Sequence, residues 1–212
     1  MTTFALVAEG ITDQLVIEHL IALLCEDKFE DGVDINPLQP LRDATDSGTA
    51  PHGGWELVLE YCEEKIGDAL SANDYVVVHL DTDEGDHPGF GVPLTYEGSD
   101  RSYTELIADC VALLRDKLGA SYDEASDRFI FAIAVHSIES WLILCLFGKD
   151  ETKNAFYRLN RQLVKETGRT LKKDARSYRA LTYDIKRKSL NRLVDGGHSL
   201  GVFLQKLSGL SA

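Results

Sequence analysis

Residues 75–86 read Tyr75-Val76-Val77-Val78-His79-Leu80-Asp81-Thr82-Asp83-Glu84-Gly85-Asp86. The first half is a dense run of aromatic and β-branched side chains, the pattern of a strand covered on both faces in a parallel sheet. The second half switches abruptly to acids and a glycine. In open α/β sheets the carboxyl ends of the strands face the ligand crevice, so acids released there are placed for chemistry. Asp81 and Asp83 are two apart, so on an extended backbone they share a face and can share a hard cation. A solvated acidic turn after a core strand is the plainer reading of the pair. The stretches on either side bear on that choice.

Before it, Phe4–Ala8 is a short apolar strand ending at Glu9-Gly10, with Thr12 as the expected cap of the next helix and Asp13 in its first turn. Leu15, Val16, His19, Leu20, Leu23 and Leu24 recur at helical spacing, completing the opening of a βα unit. Val33-Asp34-Ile35-Asn36 is a second strand candidate. A polar loop over residues 41–54 ends in Gly53-Gly54, ahead of a helix from Trp55. Glycines at a helix entrance let backbone N–H groups approach an anion, which makes Gly53 and Gly54 candidate phosphate contacts.

After it, His87 to Pro93 is a Pro- and Gly-rich loop, and Ser102–Leu118 is an amphipathic helix. Arg128–Val135 is a second fully apolar strand, released into His136-Ser137-Ile138-Glu139, with a short apolar helix expected over Ser140–Phe147. Strands alternating with helices predict an α/β fold, a mostly parallel sheet with helices on both faces. We expect two parts: residues 1–148 as the α/β metal-binding body, and residues 149–212 as a basic helical segment packed on it.

The charge is divided the same way. The chain of 212 residues carries a formal net charge of −13, yet residues 149–212 hold 15 Lys or Arg against 6 Asp or Glu. The acidic body suits cations, and the basic segment suits phosphates. Cys25, Cys62, Cys110 and Cys145 are scattered singly in apolar surroundings and form no metal or redox pair. The absence of a long apolar run or a basic, cleavable leader points to a cytoplasmic protein with no membrane association.

Three strand ends therefore carry acids: Glu9-x-x-x-Asp13, Asp81-x-Asp83 and Ser137-x-Glu139. In a parallel sheet all three open on one edge, where the carboxylates repel one another unless cations neutralise them. Oxygen donors without a Cys or His set favour Mg²⁺ or Mn²⁺ over zinc. Glu9, Asp81, Asp83 and Glu139 are the candidate catalytic residues. Asp13 and Ser137 join them as candidate metal ligands. His136 is a candidate proton carrier, Asp86 a candidate supporting acid, and His79 a packing residue.

This pattern resembles the Toprim domain of topoisomerases, primases and several nucleases, a Rossmann-like fold with a glutamate after its first strand and Asp-x-Asp after a later one. The added Asp13 and Ser137-x-Glu139 are most similar to the Toprim nuclease part of OLD-family (overcoming lysogenization defect) nucleases. The resemblance covers residues 4–146. It implies a nuclease that holds two divalent metals on these motifs and cleaves phosphodiester bonds, DNA ahead of RNA, in defence against phage. OLD proteins also carry an ABC-type ATPase. Nothing in this chain resembles a Walker lysine loop, so an ATPase partner would be a separate chain.

The family places a basic residue after its third motif, for which Arg169, Lys172 and Lys173 are candidates. Lys186 and Arg187 are candidate phosphate contacts, and Tyr178 and Tyr183, set among Arg176, Arg179 and Lys188, are candidate stacking surfaces for bases. Self-association into a homo-oligomer is a further expected partnership. The alternatives are a non-catalytic Toprim-like regulator of an ATPase, and a phosphatase using the Asp-x-Asp pair. Against the phosphatase, that pair follows a later strand and reads Asp81-Thr82-Asp83-Glu84-Gly85.

Overall fold

The computed structural model describes residues 1–42 and 53–211. The chain forms an α/β fold around a four-stranded, all-parallel sheet in which β1 (Thr2–Val7) lies between β2 (Val33–Gln39) and β3 (Tyr75–Asp81), and β6 (Phe129–Ala134) flanks β3. β2 sits to one side of β1, and β3 and β6 to the other. The strand order therefore reverses between β1 and β3. Such a reversal opens a crevice beyond the strands' carboxyl ends.

Two apolar layers cover the sheet. Phe4, Leu6, Val77, Ile130 and Ala132 face one layer, and Ala5, Val7, Val76, Val78 and Ile133 face the other. That alternation is the two-residue period of a pleated strand. On the first face lie α1 (Ile11–Cys25), α6 (Ile138–Phe147) and four later helices, α7 (Ala155–Thr167), α8 (Ala175–Thr182), α9 (Arg187–Leu193) and α10 (Ser199–Ser208). On the second lie α2 (Trp55–Glu64), α3 (Ile66–Ala72) and α4 (Tyr103–Leu118), with α5 (Ala120–Ala125) following. A two-stranded hairpin, β4 (Thr95–Tyr96) and β5 (Ser99–Asp100), and one turn of 3-10 helix over Ser126–Arg128 complete the described elements.

Several sequence expectations are corrected in detail. The cap of α1 is Gly10, because the helix already starts at Ile11 and Thr12 falls inside its first turn. The helix from Trp55 breaks at Lys65 into α2 and α3. α6 begins at Ile138, so Glu139 lies within its first turn. Most of the loop expected over residues 41–54 lies outside the described residues. The helices after Gly148 belong to the core of the sheet's first face. Leu159, Tyr178, Leu190, Phe203 and Leu204 share one apolar layer with Phe4, Leu20 and Trp141. Trp141 stacks on Phe203 with ring centroids 5.3 Å apart, and its indole N–H donates to Ser199 Oγ at 2.9 Å.

The α4 entrance is the best-capped in the fold. Ser102 Oγ accepts from the Glu105 N–H, while the Glu105 carboxylate accepts from the Ser102 N–H at 2.8 Å. This reciprocal capping satisfies two donors that the helix itself cannot. Ser102→Ala is expected to destabilise the protein by about 1 kcal/mol, read from urea midpoints. An unchanged midpoint would assign the entrance to packing alone.

Candidate functional site

Because every strand of the main sheet runs the same way, the three acidic motifs emerge at one edge. Glu9 follows β1, Asp81 ends β3 with Asp83 two residues on, and Ser137-Ile138-Glu139 follows β6. Val77, His79 and Asp81 alternate onto the α1 and α6 face, which directs Asp81 toward Asp13 and Glu139. The acids are graded in depth. Asp13 and Glu139 are buried, Glu9 and Asp81 are partly covered, and Asp83 is exposed.

The backbone ties these groups together. Glu9 Oε1 accepts from the Asp81 N–H at 2.7 Å, joining the first and second motifs across the crevice. The second and third motifs are joined through Thr82, whose buried Oγ1 accepts from the His136 N–H at 2.8 Å. His136 O in turn accepts from the Asp83 N–H at 3.0 Å. His136 takes a left-handed conformation with φ 63°, a conformation β-carbon-bearing residues adopt only when the surroundings impose it. Here the bonds on either side of it do so. Glu139 Oε2 accepts from Ser137 Oγ at 2.6 Å, and Glu139 Oε1 accepts from the Tyr178 hydroxyl, delivered by α8.

Confining Glu9, Asp13 and Asp81 together out of water disfavours their charged forms. Burial, then the neighbouring Asp81 charge, pushes Glu9 up to about 10, against the opposing Asp81 N–H bond. Burial likewise raises Asp13 to about 6, with the His79 imidazole opposing and Glu139 reinforcing. Asp81 is raised by burial and by Asp13, Glu139 and Asp83. Asp83 is raised by burial, Glu84 and Glu139, while Lys173 pulls it down. The fully buried His79 is lowered by loss of solvent, despite the acids around it. Its Nε2 lies 3.2 Å from Asp81 Oδ1, within ion-pair reach, but the alignment makes no hydrogen bond.

The donor set fits a hard divalent cation in kind. It is all oxygen, drawn from three strand ends, and Asp81 Oδ1 is buried with no hydrogen-bond partner among the described residues. In position the fit is incomplete. Among the described residues no three His, Cys, Asp or Glu side chains surround one point as a ready metal site. Glu9 Oε1 and both Glu139 oxygens already accept hydrogen bonds within the protein.

No protein-family model, curated protein or solved structure matches this chain. The site therefore has to be read from its own chemistry.

The basic candidates separate in space. Lys173 is close enough to Asp83 to influence its charge, and its Nζ sits 5.1 Å from the centre of the Phe156 ring. Lys172 turns into a neighbouring pocket, and Arg169 pairs with Asp184. Arg187 pairs with Asp27, beyond the far end of α1, and Lys186 donates to Tyr183 O at 2.9 Å. A 15-residue helix is about 22 Å long, so Arg187 lies at the opposite end of the sheet from the acids.

Gly54 donates its N–H to Glu9 O at 2.8 Å, and a β-carbon on Gly53 would lie 2.1 Å from that same oxygen. The glycine pair thus seats the α2 entrance against Glu9, and the Gly54 N–H is already committed. Tyr178, expected as a stacking surface, is fully buried against Glu139, while Tyr183 is exposed. Asp86 holds its own loop by accepting from the Leu94 N–H at 3.0 Å. Thr82 and Tyr178 are the structural contributors that sequence reasoning missed. Thr82 was visible only as the middle of Asp-x-Asp.

Tyr178→Phe keeps the ring but removes the donor that reaches Glu139. With that carboxylate buried, a loss of about 1–3 kcal/mol in unfolding free energy is expected from urea titration. A variant as stable as the parent would mean that Glu139 finds another donor.

Proposed function

We propose that this chain is a divalent-metal-dependent nuclease that hydrolyses phosphodiester bonds of nucleic acid, DNA ahead of RNA. The observation that carries the reading is the meeting of Glu9, Asp13, Asp81 and Glu139 at the β1–β3 crevice, with Asp83 at its mouth. Buried acids of one sign are costly unless protonated or matched by a cation, and such clusters mark functional sites.

Glu9, Asp13, Asp81, Asp83 and Glu139, with Ser137 beside them, would hold the metals. Bound Mg²⁺ or Mn²⁺, two per site, would supply an activated water and charge stabilisation of the leaving oxygen. The chain's own part is to orient the acids. The Asp81 N–H fixes Glu9, Thr82 fixes the His136 turn, and Ser137 with Tyr178 fixes Glu139. Of the three basic candidates, Lys173, whose charge lowers the exposed Asp83, would be the one to meet a phosphate at the mouth. His136, held below its ordinary value by burial and by Lys153 with Asp100 opposing, would be the proton carrier.

Toprim membership, a separate ABC-type ATPase partner, a cytoplasmic setting and a role against phage belong to this proposal on the strength of the motif resemblance alone. Among the described residues no helix is long and apolar enough to cross a membrane. The decisive experiment incubates the purified chain with supercoiled plasmid and with single-stranded DNA and RNA, with Mg²⁺, Mn²⁺ or EDTA. Metal-dependent cleavage supports the reading. Intact substrates under every condition would overturn it.

A second reading has its own observation. Glu139 is engaged by Ser137 and Tyr178 at both oxygens, an arrangement suited to structure. On that reading the chain is a regulator whose acids sense a cation without catalysis. Stabilisation by Mn²⁺ without any cleavage would favour it.

A further inference from the structure

The segment from Gly168 to α8 has two sides. One side meets the acids through Tyr178, whose hydroxyl donates to Glu139. The other lines a pocket of about 530 Å³, whose wall carries Arg169, Lys172 and Arg176 and whose apolar lining includes Leu163, Leu171 and Leu181. Its size lies within the range of small-molecule sites, about 300–1,000 Å³.

The charges in this pocket stand out in a chain with 35 acids against 22 Lys and Arg. Lys172 and Arg176 are exposed and have no carboxylate within ion-pair distance among the described residues. Asp174 is the one acid in the lining, and its Oδ1 is occupied as the α8 cap, accepting from the Ser177 N–H at 2.7 Å. Arg169 is drawn to Asp184, outside the lining. Lys172 and Arg176, without a close ion pair and sharing only the field of the capping Asp174, stand beside Thr170 and Ser177 and above leucines, which suits a ligand with a phosphate at one end and an apolar body at the other. Guanidinium forks match phosphate oxygens two at a time, and Arg176 supplies one that makes no ion pair among the described residues.

We propose that this pocket binds a phosphate-bearing ligand of nucleotide size, either a free nucleotide or the terminal nucleotide of a strand. The site is separate from the acidic cluster and stands whether or not that cluster hydrolyses anything. The two share α8, so a ligand bridging the 168–172 turn and Arg176 would clamp the helix that carries Tyr178 to Glu139.

The test is calorimetric titration of the full chain in EDTA with AMP and with a short 5′-phosphorylated oligothymidylate, each repeated on Lys172→Glu and Arg176→Glu. Both side chains are exposed, so circular dichroism should show the variants folded. Expected is binding that weakens about ten-fold or more in each variant and weakens further with added salt. Equal affinity for the two probes assigns the pocket to free nucleotides, and preference for the oligonucleotide assigns it to a strand end. No heat with either probe at about 1 mM, or variants that bind like the parent, would overturn the proposal.

Discussion

Asp81→Asn is expected to lower metal-dependent cleavage by roughly 10³-fold, about 4 kcal/mol of barrier, while raising the thermal midpoint of the protein in EDTA at pH 8. The two effects have one origin. Asp81 sits at the centre of the acidic group, with Asp13, Glu139 and Asp83 all raising its pKa, and it raises Glu9 in turn. A side chain that cannot ionise escapes the cost of keeping an acid in that field, which is a gain for the fold. The substitution also takes away a donor that the proposed divalent cation would need, which would be a loss for the proposed reaction. The backbone bond from the Asp81 N–H to Glu9 survives the substitution, so the crevice keeps its shape. The new amide can face His79 Nε2 across the 3.2 Å now spanned by Oδ1. A variant that is merely unfolded would lose both quantities together. Cleavage within ten-fold of the parent would remove Asp81, and with it the central motif, from the chemistry. A midpoint that falls would mean that Asp81 is matched by a cationic partner in the fold.

That Asp81 occupies this place was legible in the sequence for a simple reason. A strand buried on both faces leaves a long apolar run, and Tyr75–Leu80 and Phe129–Ala134 both carry one. Once the sheet is parallel, residues that follow such runs must gather at one edge, so the meeting of the three motifs follows from topology. Tyr178 was not legible in this way. A tyrosine among arginines reads equally as a stacking surface or as one face of an amphipathic helix, and only the docking of α8 on α1 and α6 turns its hydroxyl to Glu139. Helical spacing shows which side of a segment is apolar without showing which partner covers it. For the same reason the basic charge after Lys149 did not reveal that its helices complete a core layer. The α1 start was misread because Thr12 is an attractive cap. Gly10 takes the position in extended backbone, φ −145° and ψ 165°, and the helix starts there without a side-chain cap. The hairpin of β4 and β5 is two residues a side, too short to show alternation, and it turns on Glu97 and Gly98 with φ 49° and 79°.

In EDTA the protein is expected to lose stability as pH rises from 7 to 8.5, by about 2 kcal/mol, with a thermal midpoint lower by roughly 4–8 °C. Most proteins change little across this interval, so the slope is diagnostic. Glu9 is held near 10 in the fold against an ordinary 4.5. Between those values the folded chain keeps a proton that the unfolded chain has released, and mass action then favours unfolding by about 1.4 kcal/mol for each pH unit. This contribution is fully present below the unfolded value and disappears as pH climbs through the folded one. Asp81, raised by the same neighbours, acts in the same direction. The window avoids the other perturbed groups. His19, His79, His136 and His198 are all lowered by burial and oppose the trend only near and below their ordinary 6.5. Cys25, Cys62, Cys110 and Cys145 are pushed up from 9.0 and matter mainly at higher pH. Millimolar Mn²⁺ should abolish or invert the slope, because a cation that binds the ionised acids replaces the proton and binds more tightly as pH rises. Glu9→Gln should flatten the slope in EDTA without needing the metal. If the parent is equally stable at pH 7 and 8.5 in EDTA, the acids are solvated or already matched by cations. A slope that persists in Mn²⁺ would show instead that the acids are crowded for a reason other than metal binding.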